Sequence, residues 1–318
     1  MSSDKREISL VLGSGGARGY AHVGVIRWIE EHDLKITSVV GASMGALIGG
    51  CYAAGKLDEY AEWASAIRKS DIVRLLDFTL SKSGFVDGTR IMNVLKDFVG
   101  DHEIRDLPVR FTAVASDIAR EKEVWISSGS LFEAIRASIA LPFFFVPFRK
   151  DGRPLLDGGI LNPVPIAPTF DDPTDFTVAV NLNGPPDENL RMPGKRKAPS
   201  EENRKDKQGL IDRFLDRLHD QFTRDSSDGW SMLDIAQQTF DTMQSTIART
   251  KLAAYPPDVV ISIPRDVASI MEFDRADELI ELGYQAADRQ LSRFLKRRAR
   301  LEKEEEEAAA QEESQEES

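Results

Sequence analysis

Cysteine is nearly absent. Cys51 is the sole one in 318 residues, which excludes an intramolecular disulfide and any cysteine-rich zinc site and fits a reducing, cytoplasmic setting. Runs of 18 or more apolar residues are missing too, so no bilayer-spanning helix is expected and any membrane contact would be peripheral, at the inner membrane surface. The opening Met1-Ser-Ser-Asp-Lys-Arg-Glu7 leads into a short apolar stretch and then a glycine loop, a pattern that matches neither a secretory signal nor a transit peptide. Histidine is scarce, with four in the chain, which narrows the choice of catalytic base. A basic surface pattern is also lacking, and nucleic acid is excluded as a partner. The formal net charge of -12 is concentrated in the tail, where residues 302–318 hold nine Glu against Lys303. The acidity therefore gives no reason to expect a basic ligand.

A hydrophobic share of 41% provides for a buried core. Over the first 180 residues, short apolar runs alternate with helical patterns, the order of an α/β fold with a largely parallel sheet. Strands are expected at 8–13, 37–41, 110–115, 123–126 and 178–181. Helices are expected at 17–32, 44–55, 57–69, 89–98 and 131–138. Residues 184–209 are rich in Pro, Lys, Arg, Glu and Asn and read as a mobile polar insertion. Beyond it come a charged amphipathic helix at 210–222, a long helix at 232–254, a strand at 258–263 and a long helix at 274–300. The organisation is one domain over 1–300, followed by an acidic low-complexity tail at 301–318, either solvated helix or disorder.

Gly41-Ala-Ser43-Met-Gly45 is a G-x-S-x-G placed between a strand and a helix, the context that a nucleophile elbow requires. The serine sits on a strained turn, small residues at ±2 avoid a clash, and the following helix points its positive end at the hydroxyl. The bland alternative is a structural turn serine.

Leu12-Gly13-Ser14-Gly15-Gly16-Ala17-Arg18-Gly19 also lies directly between a strand and a helix, and such a loop presents backbone N–H groups to an anion. A dinucleotide-binding turn fails here. Arg18 stands where its third glycine is needed, and Asp33 precedes the second strand instead of ending it. The better reading is an oxyanion hole, with adjacent parallel strands bringing the Gly15 and Gly16 amides beside Ser43.

Two kinds of base are open. Histidine usually activates serine, and His219 alone follows in the order Ser…Asp…His. His22 and His32 fall within the first helix, and His102 lies in a polar stretch. The other candidate is Asp157, in Leu155-Leu-Asp157-Gly-Gly, whose glycines permit close backbone approach and whose burial would raise its proton affinity. An ordinary Asp-Gly turn is the structural alternative.

Together these segments resemble the patatin-like phospholipase family, especially bacterial members related to neuropathy target esterase. Gly13–Gly19 with Tyr20-Ala-His-Val-Gly-Val-Ile26 looks like the family's oxyanion segment, Val40-Gly-Ala-Ser-Met-Gly45 like its elbow, and Asp157-Gly-Gly159 like its aspartate motif. Arg136-Ala-Ser-Ile-Ala-Leu-Pro142, Asn162-Pro-Val-Pro165 and Tyr255-Pro-Pro-Asp-Val259 are further points of similarity. The likeness spans about 7–295 apart from 184–224. It implies a three-layer α/β/α sandwich with a mainly parallel central sheet, and a Ser–Asp dyad without histidine, metal or cofactor. By position, Ser43 is the implied nucleophile and Asp157 the base. Gly15 and Gly16 supply oxyanion amides, and Arg18 helps to hold the loop or the anion. Ser14 departs from a frequent glycine, although its N–H stays a candidate donor. The implied activity is lipid acyl-ester hydrolysis through an acyl-enzyme, with a phospholipid or lysophospholipid as substrate (phospholipase A or lysophospholipase). A carboxylesterase or thioesterase would share the machinery, and a regulatory protein on an inactive scaffold is a third reading.

An acyl chain needs an apolar channel. Phe143, Phe144, Phe145, Val146 and Phe148 could line it or form a buried strand. Phe78, Leu80 and Phe85 lie in an irregular region that could cover the site. The 184–222 region is a candidate lid or membrane-contact element, and Lys296-Arg-Arg-Ala-Arg300 a candidate contact with anionic lipid. The carboxy-terminal helices are candidates for a homodimer contact.

Overall fold

The computed structural model describes residues 5–68, 71, 89–100, 102–142, 145–190 and 232–316. Apolar, β-branched runs become strands β1 (Arg6–Leu12) and β2 (Leu34–Ala42), separated by helix α1 (Ala21–Glu31). They are followed by α2 (Met44–Ala53), α3 (Leu57–Ala66), α4 (Thr89–Val99), β3 (Arg110–Asp117) and β4 (Lys122–Ile126). Next are α5 (Leu131–Ser138), β5 (Phe148–Lys150), β6 (Arg153–Asp157) and β7 (Phe176–Gly184). The chain continues with α6 (Met232–Ala254), β8 (Val259–Pro264) and α7 (Ala276–Glu316). Ser130-Leu-Phe-Glu133 starts α5 as a capping sequence, with the Ser130 hydroxyl accepting from the Glu133 N–H at 3.3 Å.

Five strands pair in parallel in the order β3-β2-β1-β7-β8, and their buried runs have little alternation, as expected of strands covered on both faces. β4 pairs antiparallel with β3 over Ala113–Asp117. β6 also pairs antiparallel with β3, Asp157 lying opposite Ala115. Because β4 already occupies one edge of β3 at Ala115, β6 must take the other edge, the one β2 occupies up to Ala42 opposite Val114. Consecutive residues of β3 thus place the end of β2 and Asp157 side by side.

Side chains of β1 divide between two cores. Ile8, Leu10 and Leu12 join a large cluster with α1, α2 and α7. Val11 faces the other way, against Val164, Ile166, Ala179 and Ala248 of α6. Helices on one face and α6 with the 158–170 segment on the other make the expected three-layer α/β/α sandwich. α1 and α7 cross closely through paired glycines: a Cβ on Gly24 would meet the Ile280 carbonyl oxygen at 1.9 Å, and one on Gly283 the Ala21 carbonyl oxygen at 1.9 Å.

Several expected boundaries shift. The helix expected from 17 begins as a 3-10 turn, Gly16–Tyr20, because Gly16 takes φ 56° and the Ala17 N–H is drawn to the Ile270 carbonyl at 2.9 Å. β2 starts three residues earlier than expected and β7 is longer at both ends. The tail, open between helix and disorder, continues α7 to Glu316 with exposed Arg300–Glu304 and Lys303–Glu307 pairs one turn apart. The expected helix at 210–222, most of the 184–209 insertion, His219, Phe78, Leu80, Phe85, Phe143 and Phe144 lie outside the described residues. No helix among the described residues is long and apolar enough to cross a membrane.

Candidate active site

Ser43 stands between β2 and α2 as the residue before the first helical turn, with φ 56° and ψ -126°. That conformation is costly for a non-glycine residue, on the order of 1–3 kcal/mol, and persists only where the surroundings over-determine it. Those surroundings are tight. A Cβ at Gly41 would meet the Gly45 carbonyl oxygen at 2.3 Å, and one at Gly45 the Leu12 carbonyl oxygen at 2.0 Å. The elbow can press against the end of β1 only because both positions are glycine. The Ser43 N–H is also tied down, donating to the Ser138 hydroxyl at 2.9 Å.

Asp157 ends β6 and is 1% exposed. Its Oδ1 accepts from the Gly159 N–H at 2.7 Å. Its Oδ2 is buried with no hydrogen-bond partner of ordinary geometry. Burial pushes the Asp157 carboxyl up to about 7, against the pull of the Ser43 hydroxyl and the Gly159 N–H, both of which favour the ionised form. The Ser43 hydroxyl thus favours the ionised carboxyl without a hydrogen bond of ordinary geometry to Oδ2. Such looseness is common in a catalytic pair without substrate.

The glycine loop after β1 completes the arrangement. The Gly13 N–H donates to the Val180 carbonyl at 3.1 Å and the Ser14 N–H to the Pro163 carbonyl at 2.8 Å. Ser14 thus has no N–H to offer. The N–H groups of Gly15 and Gly16 find no acceptor among the described residues, and both glycines line the same cavity as Ser43 and Asp157. Met44, first in α2, adds the free N–H of a helix start. Arg18 is 1% exposed and points away from the cavity. Its Nε donates to the Gly15 carbonyl at 3.2 Å, Nη1 to the Arg265 carbonyl at 2.9 Å and Nη2 to Asp241 Oδ1 at 3.1 Å. All three bonds hold the loop.

A cavity of about 140 Å³ opens from Ser43 and Asp157. Its walls are apolar: Leu47 from α2, Trp63 from α3 and Ile67 just after it, Met92 and Leu95 from α4, and Phe145. Asp157 is the single charged residue among its described lining. Of the expected aromatic run, Phe145 faces this space, Val146 is half exposed and Phe148 begins β5. Trp63 and Ile67, a helical pair in the sequence, are wall residues. Tyr20 and Tyr60, whose rings lie 6.4 Å apart, also line it, as do Phe240 and Gln244 of α6. Sequence patterns gave no signal for Gln244, a polar residue within a helix that carried no motif.

No histidine among the described residues enters the cavity. His22 is fully buried behind the glycine loop, its Nε2 2.8 Å from the Gly13 carbonyl. His32 stacks on Trp28 at 3.9 Å, and the His102 carbonyl accepts from the Leu131 N–H at the start of α5.

The sequence profile described as "Patatin-like phospholipase" matches residues 10–170, the span that carries the elbow, the glycine loop and Asp157. An uncharacterized NTE family protein of Mycobacterium tuberculosis is 37% identical over 92% of this chain and 93% of its own length. The neuropathy target esterase of Drosophila sechellia is 33% identical over 50% of this chain, a stretch that makes up 11% of the fly protein. A solved structure, VipD from Legionella pneumophila, aligns over 90% of this chain and 67% of its own at 15% identity and a TM-score of 0.38, too distant to inform the site.

Proposed function

The chain belongs to the patatin-like phospholipase family, and from that premise we propose that it hydrolyses lipid acyl esters with Ser43 and Asp157 as a two-residue catalytic unit. The observation that carries this reading is the pairing of a strained serine with a buried carboxyl of raised proton affinity at the mouth of an apolar cavity.

In the acylation step Ser43 Oγ attacks the ester carbonyl carbon while its proton passes to Asp157 Oδ2. A carboxyl with a pKa near the working pH serves both as acceptor here and as donor in the next step. The tetrahedral oxyanion is held by the N–H groups of Gly15, Gly16 and Met44, which have no competing acceptor among the described residues. As the carbon–oxygen bond to the leaving alkoxide breaks, Asp157 returns the proton to it. Water then gives a proton to Asp157 and its hydroxyl to the acyl carbon; as the bond from that carbon to Ser43 Oγ breaks, Asp157 passes the proton to Oγ, which releases the fatty acid and regenerates both residues.

The cavity supports recognition through the acyl chain. Its described walls hold no cation to pair with a phosphate, so a lysophospholipid, a phospholipid or another single acyl ester would be accepted through the same apolar contacts. The same observation keeps the carboxylesterase or thioesterase reading in play, since both need only an acyl pocket and the catalytic pair.

Fluorophosphonate labelling of wild type, Ser43→Ala and Asp157→Asn tests the chemistry. Loss of labelling in the first and a sharp fall in the second are expected, whereas labelling that survives Ser43→Ala refutes the assignment. A panel of phospholipid, lysophospholipid, acyl-CoA and short p-nitrophenyl esters then identifies the leaving group.

A further inference from the structure

Two catalytic loops that come from opposite ends of the first 160 residues are gripped by one helix from much later in the chain. Asp241 and Gln244 lie three residues apart on α6 and so share a face. Asp241 Oδ1 accepts from Arg18 Nη2 at 3.1 Å, and Gln244 Nε2 donates to the Gly159 carbonyl at 3.2 Å. We propose that Asp241 and Gln244 are positioning residues for acyl transfer, holding the oxyanion loop and the Asp157 loop in register through α6. This rests on the reading of Ser43 and Asp157 given above.

Each grip acts on a functional atom at one remove. Arg18 Nε bonds the Gly15 carbonyl, and a planar peptide fixes the Gly16 N–H opposite that carbonyl. The direction of one oxyanion donor is therefore set by Arg18. Arg18 is itself buried, and Asp241 is the carboxylate that pairs with it. A buried guanidinium deprived of its acid partner is poorly tolerated. On the other side, Gln244 fixes the carbonyl of Gly159, the residue whose N–H holds Asp157 Oδ1.

The way α6 is attached makes these contacts matter. Its apolar anchorage lies in its C-terminal half, through Ala248 and Leu252, reinforced by the Lys251–Glu123 ion pair. Among the described side chains nearer its start and middle, Ile235 and Met243 are more than half exposed, while Phe240, Asp241, Gln244 and Ser245 make inward contacts, the Ser245 hydroxyl accepting from Arg265 Nη1 at 3.4 Å. Among these contacts, those of Asp241 and Gln244 are the two that reach the loops of the site.

The test compares the full chain with Asp241→Asn, Gln244→Leu and the double variant, using p-nitrophenyl butyrate and a fluorophosphonate. A misalignment of about 1 Å costs up to roughly 100-fold, so each single variant is expected to lose about 10- to 100-fold in kcat with KM within about twofold. The double variant should lose less than the product of the two, because both act through one docked helix. Gln244→Glu adds a readout that a purely structural role would not move. A carboxylate beside Gly159 should shift the pH midpoint of the reaction upward by about one unit. Should Asp241→Asn fail to fold, Gln244→Glu decides the matter alone. Folded variants with wild-type kcat and pH midpoint overturn the proposal. A folded wild type that the probe does not label at Ser43 overturns the catalytic reading itself, and this inference with it.

Discussion

The main-chain N–H of Ser43 donates to the hydroxyl of Ser138, and Ser138 in turn donates to the Val114 carbonyl at 2.6 Å. This buried relay ties the elbow to the middle of β3 and to the end of α5. It explains how a positive φ is sustained at Ser43, since the relay fixes the peptide that enters the turn. Ser138→Ala takes the acceptor from the Ser43 N–H and a donor from the Val114 carbonyl, at a cost of about 1–3 kcal/mol. The expected outcome is a lower melting temperature together with slower fluorophosphonate labelling. Unchanged stability and labelling in Ser138→Ala would show that the relay does not hold the nucleophile.

The raised proton affinity of Asp157 sets a pH dependence. Only its ionised form can accept the Ser43 proton, so acylation should rise as pH increases through about 7 and then level off. Initial rates of a short p-nitrophenyl ester between pH 5 and 9 would show the limb. A midpoint near 4, the range of an ordinary carboxylate, would mean that the base is another group or that Asp157 is well solvated during catalysis.

The same burial predicts a stability gain on losing the charge. Asp157 binds its proton more tightly folded than unfolded, so the native state loses stability as pH rises from about 4 to about 7. At pH 8 the ionised carboxyl costs the fold a few kcal/mol on the scale of 1.36 kcal/mol per pKa unit. Asp157→Asn keeps an acceptor for the Gly159 N–H and removes this cost. It should melt higher than wild type at pH 8, with the difference shrinking towards pH 4. A variant that melts lower at every pH would contradict the burial of a raised carboxyl.

His22 predicts the opposite slope in an overlapping window. Burial pushes this imidazole down to about 4, against the Gly13 carbonyl, which favours the protonated form. The unfolded chain binds its proton first, so stability is lost as pH falls from about 6.5 towards 4. Thermal melts of wild type and His22→Gln across this range separate the two groups, because the glutamine variant should lose this acid sensitivity while keeping the opposite slope, a loss of stability with rising pH, that comes from Asp157. Equal slopes in both proteins would place the titration elsewhere.

The elbow, the glycine loop and Asp157-Gly-Gly were legible because each depends on local backbone rules, small residues at ±2 and a turn between strand and helix. Alternating apolar runs exposed the parallel sheet for a similar reason. What escaped is long-range. Arg18 reads equally as anion ligand or as brace until Gly15, Arg265 and Asp241 are seen around it. Gln244 acquires meaning only when α6 meets the Gly159 carbonyl. Trp63 and Ile67 show a helical stripe in sequence, but a stripe cannot reveal whether it faces core or cavity. The start of the first helix was misplaced because the Ala17–Ile270 bond, which favours a 3-10 turn, joins residues more than 250 apart.

Leu47 offers the sharpest probe of the acyl pocket. It lies one turn along α2 from Ser43, roughly 6 Å down the axis, and its side chain faces the cavity. A chain extending from the acyl carbon must pass it within its first several carbons. Leu47→Trp therefore obstructs long acyl groups more than an acetyl group. Overpacking also carries a general cost of about 1–3 kcal/mol, so the informative quantity is a ratio within one protein. The ratio of kcat/KM for dodecanoyl over acetyl p-nitrophenyl ester should fall by about tenfold or more in Leu47→Trp relative to wild type, the size of effect that blocking a few methylene sites gives. An unchanged ratio in a folded variant would mean that the acyl chain leaves Ser43 by another route, and that this cavity is not its binding site.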